Sequence, residues 1–291
     1  MPHILTLVAA RDATTLSPGT VALIRDVISG QAPVVLSPGE AVDIRCADPP
    51  DMIAVRAVLG GAPVDALANR SRGRRKGLLV ADMDSTIVTS ETLDELAAYA
   101  GLKDHIAAIT RASMNGEIDF REALRARVAM LKGLDLSALE ATWNATAVTP
   151  GARELVATMR AHNALTALVS GGFTYFTSRV AELCGFDVHR ANTLIDDGAA
   201  LTGEVGEPIL DRDAKLAALQ EFAAARGVKL AATLAVGDGA NDLAMIAVAG
   251  MGVAFHAKPI VAAEARFRVD HCDLRALLFA QGYPAAAFVS E

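Results

Sequence analysis

From residue 78 onward, short apolar runs alternate with segments in which apolar residues recur at helical spacing. Three such runs, 78–81, 164–169 and 230–236, are each followed directly by polar residues or glycines. Apolar runs of this length, bounded by turn residues, are typical of strands that are buried on both faces. Strands that alternate with helices predict an α/β fold with a doubly wound parallel sheet.

The first 70 residues have a different pattern. Segments 4–9, 33–36 and 42–46 are typical of strands, whereas 18–30 and 52–59 have helical spacing. The order β-α-β-β-α predicts a small α+β unit of the ferredoxin-like type, although no clear final strand follows the second helix. We therefore expect one domain at 1–70 and another at 71–291. The basic segment 69–76 between them is expected to be a solvated linker.

Asp82 and Asp84 follow the first apolar run, so two carboxylates stand at the end of a buried strand, where open α/β sheets bind ligands. In an extended chain the two side chains share one side, and they repel each other unless a cation or a proton neutralises them. Mg²⁺ fits because it prefers oxygen ligands. The alternative is that both acids, with Ser85 and Thr86, only cap the next helix.

Three later segments carry groups that suit phosphate and a hard cation. A hydroxyl and glycines follow the second run, a lysine lies near the start of an amphipathic helix, and two acids and an amide follow the third run. Each group alone is also explained by a turn, a solvated lysine or an N-cap. Their joint occurrence beside successive strands and helices predicts one site, formed by Ser170, Gly171, Lys215, Asp238, Asn241 and Asp242.

Residues 92–149 show helical spacing throughout, with Leu93 and Leu96 on one face. A helical insertion after the first strand of a sheet can form a cap that excludes water and selects the substrate. Met114 and Phe120 would give this cap an apolar wall, and Arg127 would give it a planar fork for a carboxylate. Alternatively, Arg127 is a surface arginine and the two apolar residues are the core of the cap.

The acid pair, the hydroxyl with its glycines, the lysine and the acidic loop, in this order, resemble the four motifs of the haloacid dehalogenase superfamily. Over about residues 74–285 the chain also resembles the phosphoserine phosphatase family within it, because of Glu91, Phe120 and Arg127. The resemblance implies a Rossmann-like doubly wound sheet with a helical cap at about 92–149. It also implies an N-terminal unit similar to ACT-type regulatory domains, although loop 10–17 lacks the glycines with which such domains bind amino acids.

The resemblance further implies a role for each residue. Asp82 is the nucleophile that forms an aspartyl phosphate, Asp84 is the general acid and base, and Lys215 neutralises the phosphoryl charge. Mg²⁺ is held by Asp82, the backbone carbonyl of Asp84 and Asp238, with Asp242 in its outer shell or bonded to Lys215. The implied substrate is O-phospho-L-serine, hydrolysed in the last step of serine synthesis and bound by Glu91, Met114, Phe120, Arg127, Ser170, Gly171 and Asn241.

Composition narrows the classes of function. With 52% hydrophobic residues among 291, the chain has ample material for globular cores, and a net charge of −7 disfavours general nucleic-acid binding. Three scattered cysteines without zinc spacing favour a reducing cytoplasm. We expect neither a secretion signal nor a membrane-spanning segment. The sequence leaves the oligomeric state open between a monomer and a homodimer.

Two rival functions remain open at this stage. A phosphotransferase, or a phosphatase for another small metabolite, would use the same acids, cation and lysine, and only access of the acceptor separates these enzymes. A receiver-type signalling domain also accepts phosphate on an aspartate, without being an enzyme. Such a domain needs neither a second acid at Asp84 nor an insertion as long as 92–149.

Overall fold

A computed structural model describes residues 2–289, apart from the side chain of Arg212. Residues 3–70 form an antiparallel sheet with two helices. Their elements are, in chain order, β1 His3–Ala9, α1 Pro18–Val27, β2 Val34–Ser37, β3 Ala41–Cys46, α2 Met52–Leu59 and β4 Val64–Arg70. The strands lie in the order β2-β3-β1-β4, and both helices pack their apolar residues onto one face of the sheet.

Strand β4 corrects the expectation that no final strand follows the second helix. It pairs with β1 over its whole length, from His3 opposite Arg70 to Ala9 opposite Val64. Its sequence, VDALANR, is rich in alanine, aspartate and asparagine, which are depleted in strands. Pairing with β1 and burial of Asp65 against the rest of the chain override this weak local preference.

The remainder of the chain is built on a parallel sheet. Its strands are β5 Leu78–Ala81, β6 Leu165–Phe173, β7 Val188–Asn192, β10 Thr233–Gly237, β11 Met251–Phe255 and β12 Phe267–Val269. They lie in the order β12-β11-β10-β5-β6-β7, which confirms the predicted parallel α/β fold. A separate two-stranded ribbon consists of β8 Leu194–Asp196 and β9 Leu201–Val205.

Helices connect these strands and cover both faces of the sheet. Between β5 and β6 lie the four helices that we call the cap: α3 Thr92–Ala98, α4 Lys103–Met114, α5 Phe120–Ala129 and α6 Ser137–Ala145. The remaining helices are α7 Ala152–Ala161, α8 Thr174–Cys184, α9 Arg212–Arg226, α10 Leu243–Val248, α11 Pro259–Glu264 and α12 Ala276–Ala280. None of the helices in residues 2–289 combines the length and the apolar character that a membrane crossing requires.

The register of the sheet decides where the site forms. Strands β5 and β10 are neighbours, with Leu78 opposite Thr233 and Ala81 opposite Val236. Every residue of both strands is buried, as expected for a parallel sheet that is covered on both faces. Their carboxyl ends therefore meet at one edge, and the polar residues that follow each strand emerge side by side.

The basic segment 69–76 is solvated only in part: Arg70, Arg72 and Arg75 are exposed, as expected of a linker, whereas Arg74 and Lys76 are buried. The Arg74 guanidinium is buried and forms an ion pair with the Asp43 carboxylate at 2.7 Å. Lys76 is also buried, and its ammonium donates to the carbonyls of Gly73 and Ala231, both at 2.9 Å. The charges are tolerated there because a carboxylate and backbone carbonyls of the two packed parts satisfy them.

Asp65 makes a second set of polar contacts between the N-terminal sheet and the rest of the chain. Its carboxylate accepts hydrogen bonds from the backbone N–H groups of Asp270, His271 and Cys272, at 2.9, 3.1 and 2.8 Å. These residues follow β12 at the end of the parallel sheet. The contact therefore fixes the N-terminal part against an edge of that sheet by specific bonds.

Candidate active site

Asp82 and Asp84 lie directly after β5, in a tight turn at the edge of the sheet. The turn spans Met83–Ile87 and is closed by the Val88 N–H, which donates to the Met83 carbonyl at 2.9 Å. Within it Ser85 adopts a left-handed conformation with φ 53°, which is rare for a residue other than glycine. Backbone strain of this kind is concentrated at functional sites, and here it brings both buried carboxylates to the strand end.

Lys215 lies between two carboxylates beneath this turn. Its ammonium is 2.8 Å from Oδ1 of Asp82 and 2.7 Å from Oδ1 of Asp242, and all three side chains are buried. Burial lowers the pKa of Lys215, but Asp242 and Asp82 outweigh this effect and raise it. The lysine is therefore a permanent cation at the sheet edge. Asp242 bonds to Lys215, which is one of the two roles predicted for it.

Three buried carboxylates form the cluster that suits a cation. Oxygens of Asp82, Asp238 and Asp242 all lie within 4.8 Å of one another. Both carboxylate oxygens of Asp238 are buried without a hydrogen-bond donor, and the Lys258 ammonium is 3.4 Å from one of them. Burial and the neighbouring Asp242 raise the pKa of Asp238 to about 7. The same two causes raise the pKa of Asp82 well above its usual range.

This arrangement fits a divalent metal ion. Buried carboxylates are costly, and burial together with the excess of negative charge over Lys215 raises the pKa values of Asp82 and Asp238. A divalent cation with a preference for oxygen ligands removes both costs. The cluster lies where Asp82 and Asp238 were predicted to share a metal.

The side chain of Asp84 is directed away from that cluster. Its Oδ1 accepts the backbone N–H of Thr92 at 2.8 Å, and its Oδ2 lies 3.4 Å from Oγ of Ser170. Burial raises the pKa of Asp84, and the Thr92 hydrogen bond opposes this rise. Asp84 therefore faces the space between the sheet and the cap. Its partner Thr92 is the first residue of α3, where a helix has N–H groups without intrahelical acceptors.

The Ser-Gly-Gly segment of β6 forms the opposite wall. Oγ of Ser170 accepts the N–H of Gly172 at 2.8 Å, and Asn192 donates to the Gly171 carbonyl at 2.8 Å. A Cβ atom on Gly171 would lie 2.7 Å from the Phe120 ring, and one on Gly172 would lie 2.7 Å from Oδ2 of Asp84. A side chain at either position would force the Phe120 ring or the Asp84 carboxylate to move, so this close approach favours glycine.

Glu91 lies at the start of the cap, on the other side of the acids. Its carboxylate accepts a hydrogen bond from Oγ of Ser85 at 2.6 Å. Burial raises the pKa of Glu91 to about 8, and the nearby Asp84 and Asp238 add to the rise. An ammonium group is the type of ligand that would restore its ionised form.

A cavity of about 50 Å³ joins these groups to the cap. All seven residues predicted to bind the substrate line it: Glu91, Met114, Phe120, Arg127, Ser170, Gly171 and Asn241. Asp82 and Asp84 line it as well. Lys215 is not among the lining residues, but its ammonium forms an ion pair with Asp82. Arg127 is only 6% exposed, so it is not one of the surface arginines of the cap.

Sequence reasoning missed several polar residues of the site, including Ser113, which lines the cavity. Thr110 lines the cavity, Asn192 fixes the Gly171 carbonyl, and Thr92 holds Asp84. A threonine inside an amphipathic helix and an asparagine at a strand end are common without any function. Their part in the site can be recognised only when the folded structure shows that they lie beside the acids.

Comparison with known proteins agrees with this geometry. Residues 79–247, which include the acid pair, Lys215 and the acidic loop, match the family model of the haloacid dehalogenase-like hydrolases. The chain belongs to this family. The predicted recognition is thereby confirmed at the level of the superfamily, whose members are described as hydrolases.

The similarity extends to proteins that are named phosphoserine phosphatases. The one from Streptococcus thermophilus is 46% identical over 199 residues, which are 68% of this chain and 93% of that protein. The one from Streptomyces coelicolor is 42% identical over 230 residues, or 79% of this chain. The chain spans only 56% of the length of this second relative. The narrower predicted resemblance is confirmed as well.

A solved structure of a phosphoserine phosphatase with an analogue of its phospho-aspartyl intermediate also resembles the chain. The two share 38% identity and superpose with a TM-score of 0.68. The match covers 70% of this chain and 98% of that one. The parallel sheet and the cap are therefore an arrangement already seen in a phosphatase that forms a phospho-aspartate.

Proposed function

We propose that the chain hydrolyses O-phospho-L-serine to L-serine and phosphate through an aspartyl phosphate on Asp82. The observation that carries this proposal is the cavity in which the acid pair meets Glu91 and Arg127. A carboxylate and a guanidinium in one cavity match the ammonium and the carboxylate of an amino acid. The similarity to phosphoserine phosphatases from two organisms supports the same substrate.

In the first step Asp82 attacks phosphorus, and the bond between phosphorus and the serine oxygen breaks. Asp84 donates its proton to the departing oxygen, and burial prepares it for this role by raising its pKa. In the second step Asp84 takes a proton from the water that attacks the aspartyl phosphate. Phosphate then leaves, and both acids return to their starting states.

Lys215, Ser170 and the Gly171 N–H neutralise the transferring phosphoryl group. Electrostatic stabilisation of this kind supplies most of the catalysis in phosphoryl transfer. The ammonium of Lys215 stays protonated throughout, because its two carboxylate neighbours raise its pKa. Asn241, whose side chain lines the cavity beside Gly171, is assigned to the phosphate as well.

For the cation we propose Mg²⁺, held by Asp82, the backbone carbonyl of Asp84 and Asp238. When bound it neutralises the acid cluster and polarises the phosphoryl oxygens. Asp242 orients Lys215 beside that cluster through its 2.7 Å ion pair. The two oxygens of Asp238, which are buried without a hydrogen-bond donor, support its assignment as a ligand.

The cap binds the serine half of the substrate. We assign the substrate ammonium to Glu91, the carboxylate to Arg127, and the apolar walls to Met114 and Phe120. A phosphotransferase would use the same acids and lysine, and the similarity to proteins named phosphoserine phosphatases favours water as the acceptor. Membership of a hydrolase family and the presence of the cap argue against a receiver-type domain.

A panel of phosphorylated metabolites tests the proposal, with release of inorganic phosphate measured in Mg²⁺ and in Ca²⁺. We expect phosphoserine to be the best substrate by kcat/KM, and phosphothreonine and phosphoethanolamine to be poorer. A sugar phosphate that exceeds phosphoserine would refute the substrate. Phosphate transferred to an added alcohol in place of water would favour the phosphotransferase instead.

We also propose that residues 1–70 are an ACT-like domain of ferredoxin-like type, and that 71–291 are the phosphatase domain with its cap at about 92–149. The order β-α-β-β-α-β and the strand order β2-β3-β1-β4 support the first assignment. A cytoplasmic location and a homodimer remain predictions. Cell fractionation tests the location, and light scattering distinguishes the dimer from a monomer.

A further inference from the structure

The guanidinium of Arg127 is held by a chain of buried polar groups inside the cap. Its Nη1 donates to Oγ1 of Thr110 at 2.9 Å, and that hydroxyl donates to Oδ1 of Asp94 at 2.6 Å. Its Nε donates to the Ala123 carbonyl at 3.1 Å. Arg127, Thr110 and Asp94 are 6%, 3% and 7% exposed, and they come from three different cap helices.

Asp94 prepares the Thr110 hydroxyl to accept a hydrogen bond from Arg127. A hydroxyl has one proton, which is donated either to Asp94 at 2.6 Å or to the Ile106 carbonyl at 3.1 Å. The shorter bond to a carboxylate is the stronger of the two. Asp94 thereby directs the proton away from Arg127 and turns the oxygen lone pairs towards the guanidinium.

The interposed hydroxyl also keeps part of the guanidinium available. A direct Arg–carboxylate pair is often bidentate and occupies the fork that would receive a ligand. Here Nε and one N–H of Nη1 are bonded to neutral oxygens, so the remaining N–H groups are left for the cavity. Burial lowers the pKa of Arg127, and Asp94 is the foremost of the carboxylates that oppose this.

We propose that Thr110 and Asp94 are positioning residues that set the selectivity of the cavity for a substrate carboxylate. They hold the guanidinium of Arg127 in one orientation and supply its charge partner without occupying its ligand-binding edge. This inference rests on the proposed function, in which Arg127 receives the carboxylate of phosphoserine. It adds two residues that act through Arg127 and not on the reacting atoms.

The test compares phosphoserine with phosphoethanolamine, which has the phosphate and the ammonium but no carboxylate. Thr110→Val removes the hydroxyl and keeps the shape of the side chain. We expect kcat/KM for phosphoserine to fall by roughly tenfold to a hundredfold, the usual worth of a hydrogen bond to a charged group. The loss should lie in KM, and the values for phosphoethanolamine should stay within about twofold. Asp94→Asn should reduce selectivity in the same sense.

Thr142→Val is the matched control. Thr142 is also a buried threonine of the cap, but its hydroxyl donates to the Ala138 carbonyl of its own helix at 2.8 Å. It should leave the ratio of the two substrates unchanged. Thr110→Ser retains the hydroxyl and should restore the preference for phosphoserine, which also covers the case in which the valine variant folds poorly.

The outcomes separate the inference from the proposed function. Equal losses on both substrates, or a serine variant without rescue, would show that Thr110 only supports the fold of the cap. A selective wild type whose selectivity survives both Thr110→Val and Asp94→Asn would overturn the positioning role alone. A wild type with no preference between the two substrates would overturn the proposed function and this inference together.

Discussion

Lys215 and Arg127 are two buried cations of the site, and the protein treats them in opposite ways. At the sheet edge, Lys215 lies 2.8 and 2.7 Å from two carboxylates of the chain, so its charge is compensated from within. In the cap, Arg127 donates to a hydroxyl and a carbonyl, and its charge partner Asp94 is one hydrogen bond further away. The lysine belongs to a permanent electrostatic framework, whereas in the proposed function the arginine is kept available for a ligand.

This difference matches what the proposed function requires of each half of the site. Phosphoryl transfer needs fixed charges that do not reorganise during the reaction, and a buried ion-pair network provides them. Selection of a substrate needs a buried charge that is satisfied only when the right ligand arrives. Changes at the sheet edge should therefore abolish the chemistry for every substrate, and changes in the cap should act on one class of substrate.

The largest effect is expected for Asp82→Asn. The amide keeps the shape of the side chain but is not a nucleophile, so hydrolysis of every phosphomonoester should be abolished. Lys215 keeps its partner Asp242, and one of three crowded carboxylates is lost, so the fold should be retained. Phosphate release and circular dichroism check the two halves of this prediction. Substantial residual turnover in a folded variant would refute the covalent mechanism.

Asp84→Asn tests the second acid at the sheet edge. Its side chain keeps the oxygen that accepts the Thr92 N–H, but it can no longer exchange a proton with the leaving group. Loss of general acid–base help typically costs ~10²–10⁴-fold in kcat. Steady-state kinetics with phosphoserine measure this loss. A merely twofold decrease would remove Asp84 from that role.

A substrate with a good leaving group supplies the control for Asp84. p-Nitrophenyl phosphate needs little protonation of its departing oxygen, so Asp84→Asn should slow the formation of the aspartyl phosphate far less for it. Its breakdown still needs Asp84 as the base. The phosphorylated form should therefore accumulate, which mass spectrometry of the intact protein would detect.

The sheet edge could be predicted from physical reasoning on the sequence. Apolar runs that end in Asp-x-Asp, Ser-Gly-Gly and Gly-Asp-Gly indicate buried strands, and parallel strands bring their carboxyl ends to one edge. The pattern alone therefore predicts that Asp82, Ser170 and Asp238 meet. The reason is that an apolar run and the polar residues that end it can be recognised in a short stretch of sequence. The fold then only has to bring the strand ends together.

The cap could not be predicted in the same way. Arg121, Arg125 and Arg127 all lie on α5, and helical spacing places only Arg127 on the apolar face, three residues after Leu124 and seven after Phe120. An arginine beside such a stripe is usually solvated, so spacing alone does not identify a ligand-binding residue. In the folded chain Arg121 and Arg125 are exposed and pair with Asp211 and Glu207. Only Arg127 of these three turns into the cavity, because packing of α5 on neighbouring helices decides which face is buried. The family resemblance selected it where local physics did not.

The predictions failed at strand β4, and at Arg74 and Lys76 of the basic segment, for a related reason. Asp65 and Arg74 have polar side chains that read as solvent-exposed, yet both are buried by partners more than 30 positions away in sequence. Burial of a charge is favourable only when such a partner is in place. The local sequence does not contain that information, so the prediction was wrong where tertiary contacts decide.

Arg127→Ala should separate the two halves most clearly. Truncation of one partner of a buried charge pair costs ~2–5 kcal/mol, so kcat/KM for phosphoserine should fall by that equivalent. Phosphoethanolamine and p-nitrophenyl phosphate have no carboxylate, and their slow hydrolysis should change little. Equal losses on all three substrates would mean that Arg127 supports the fold or the phosphate.

The smallest effect concerns Glu91 and its proton. The pKa of Glu91 is raised from its ordinary 4.5 to about 8, so the free enzyme at pH 7 holds this carboxyl in its neutral form. For folding, a raised acid pKa means that the contribution of Glu91 to stability is fully present below pH 4.5 and declines as pH rises towards 8.

The ammonium of phosphoserine favours the ionised form of Glu91, so binding should release a proton between these two pH values and progressively less above about 8. Calorimetric titration of the inactive Asp82→Asn variant, in two buffers with different heats of protonation, counts that proton. The double variant with Glu91→Gln has no proton to lose there and serves as the control, because the phosphate of the ligand titrates identically in both. An equal proton count in the two variants would show that Glu91 does not receive the substrate ammonium.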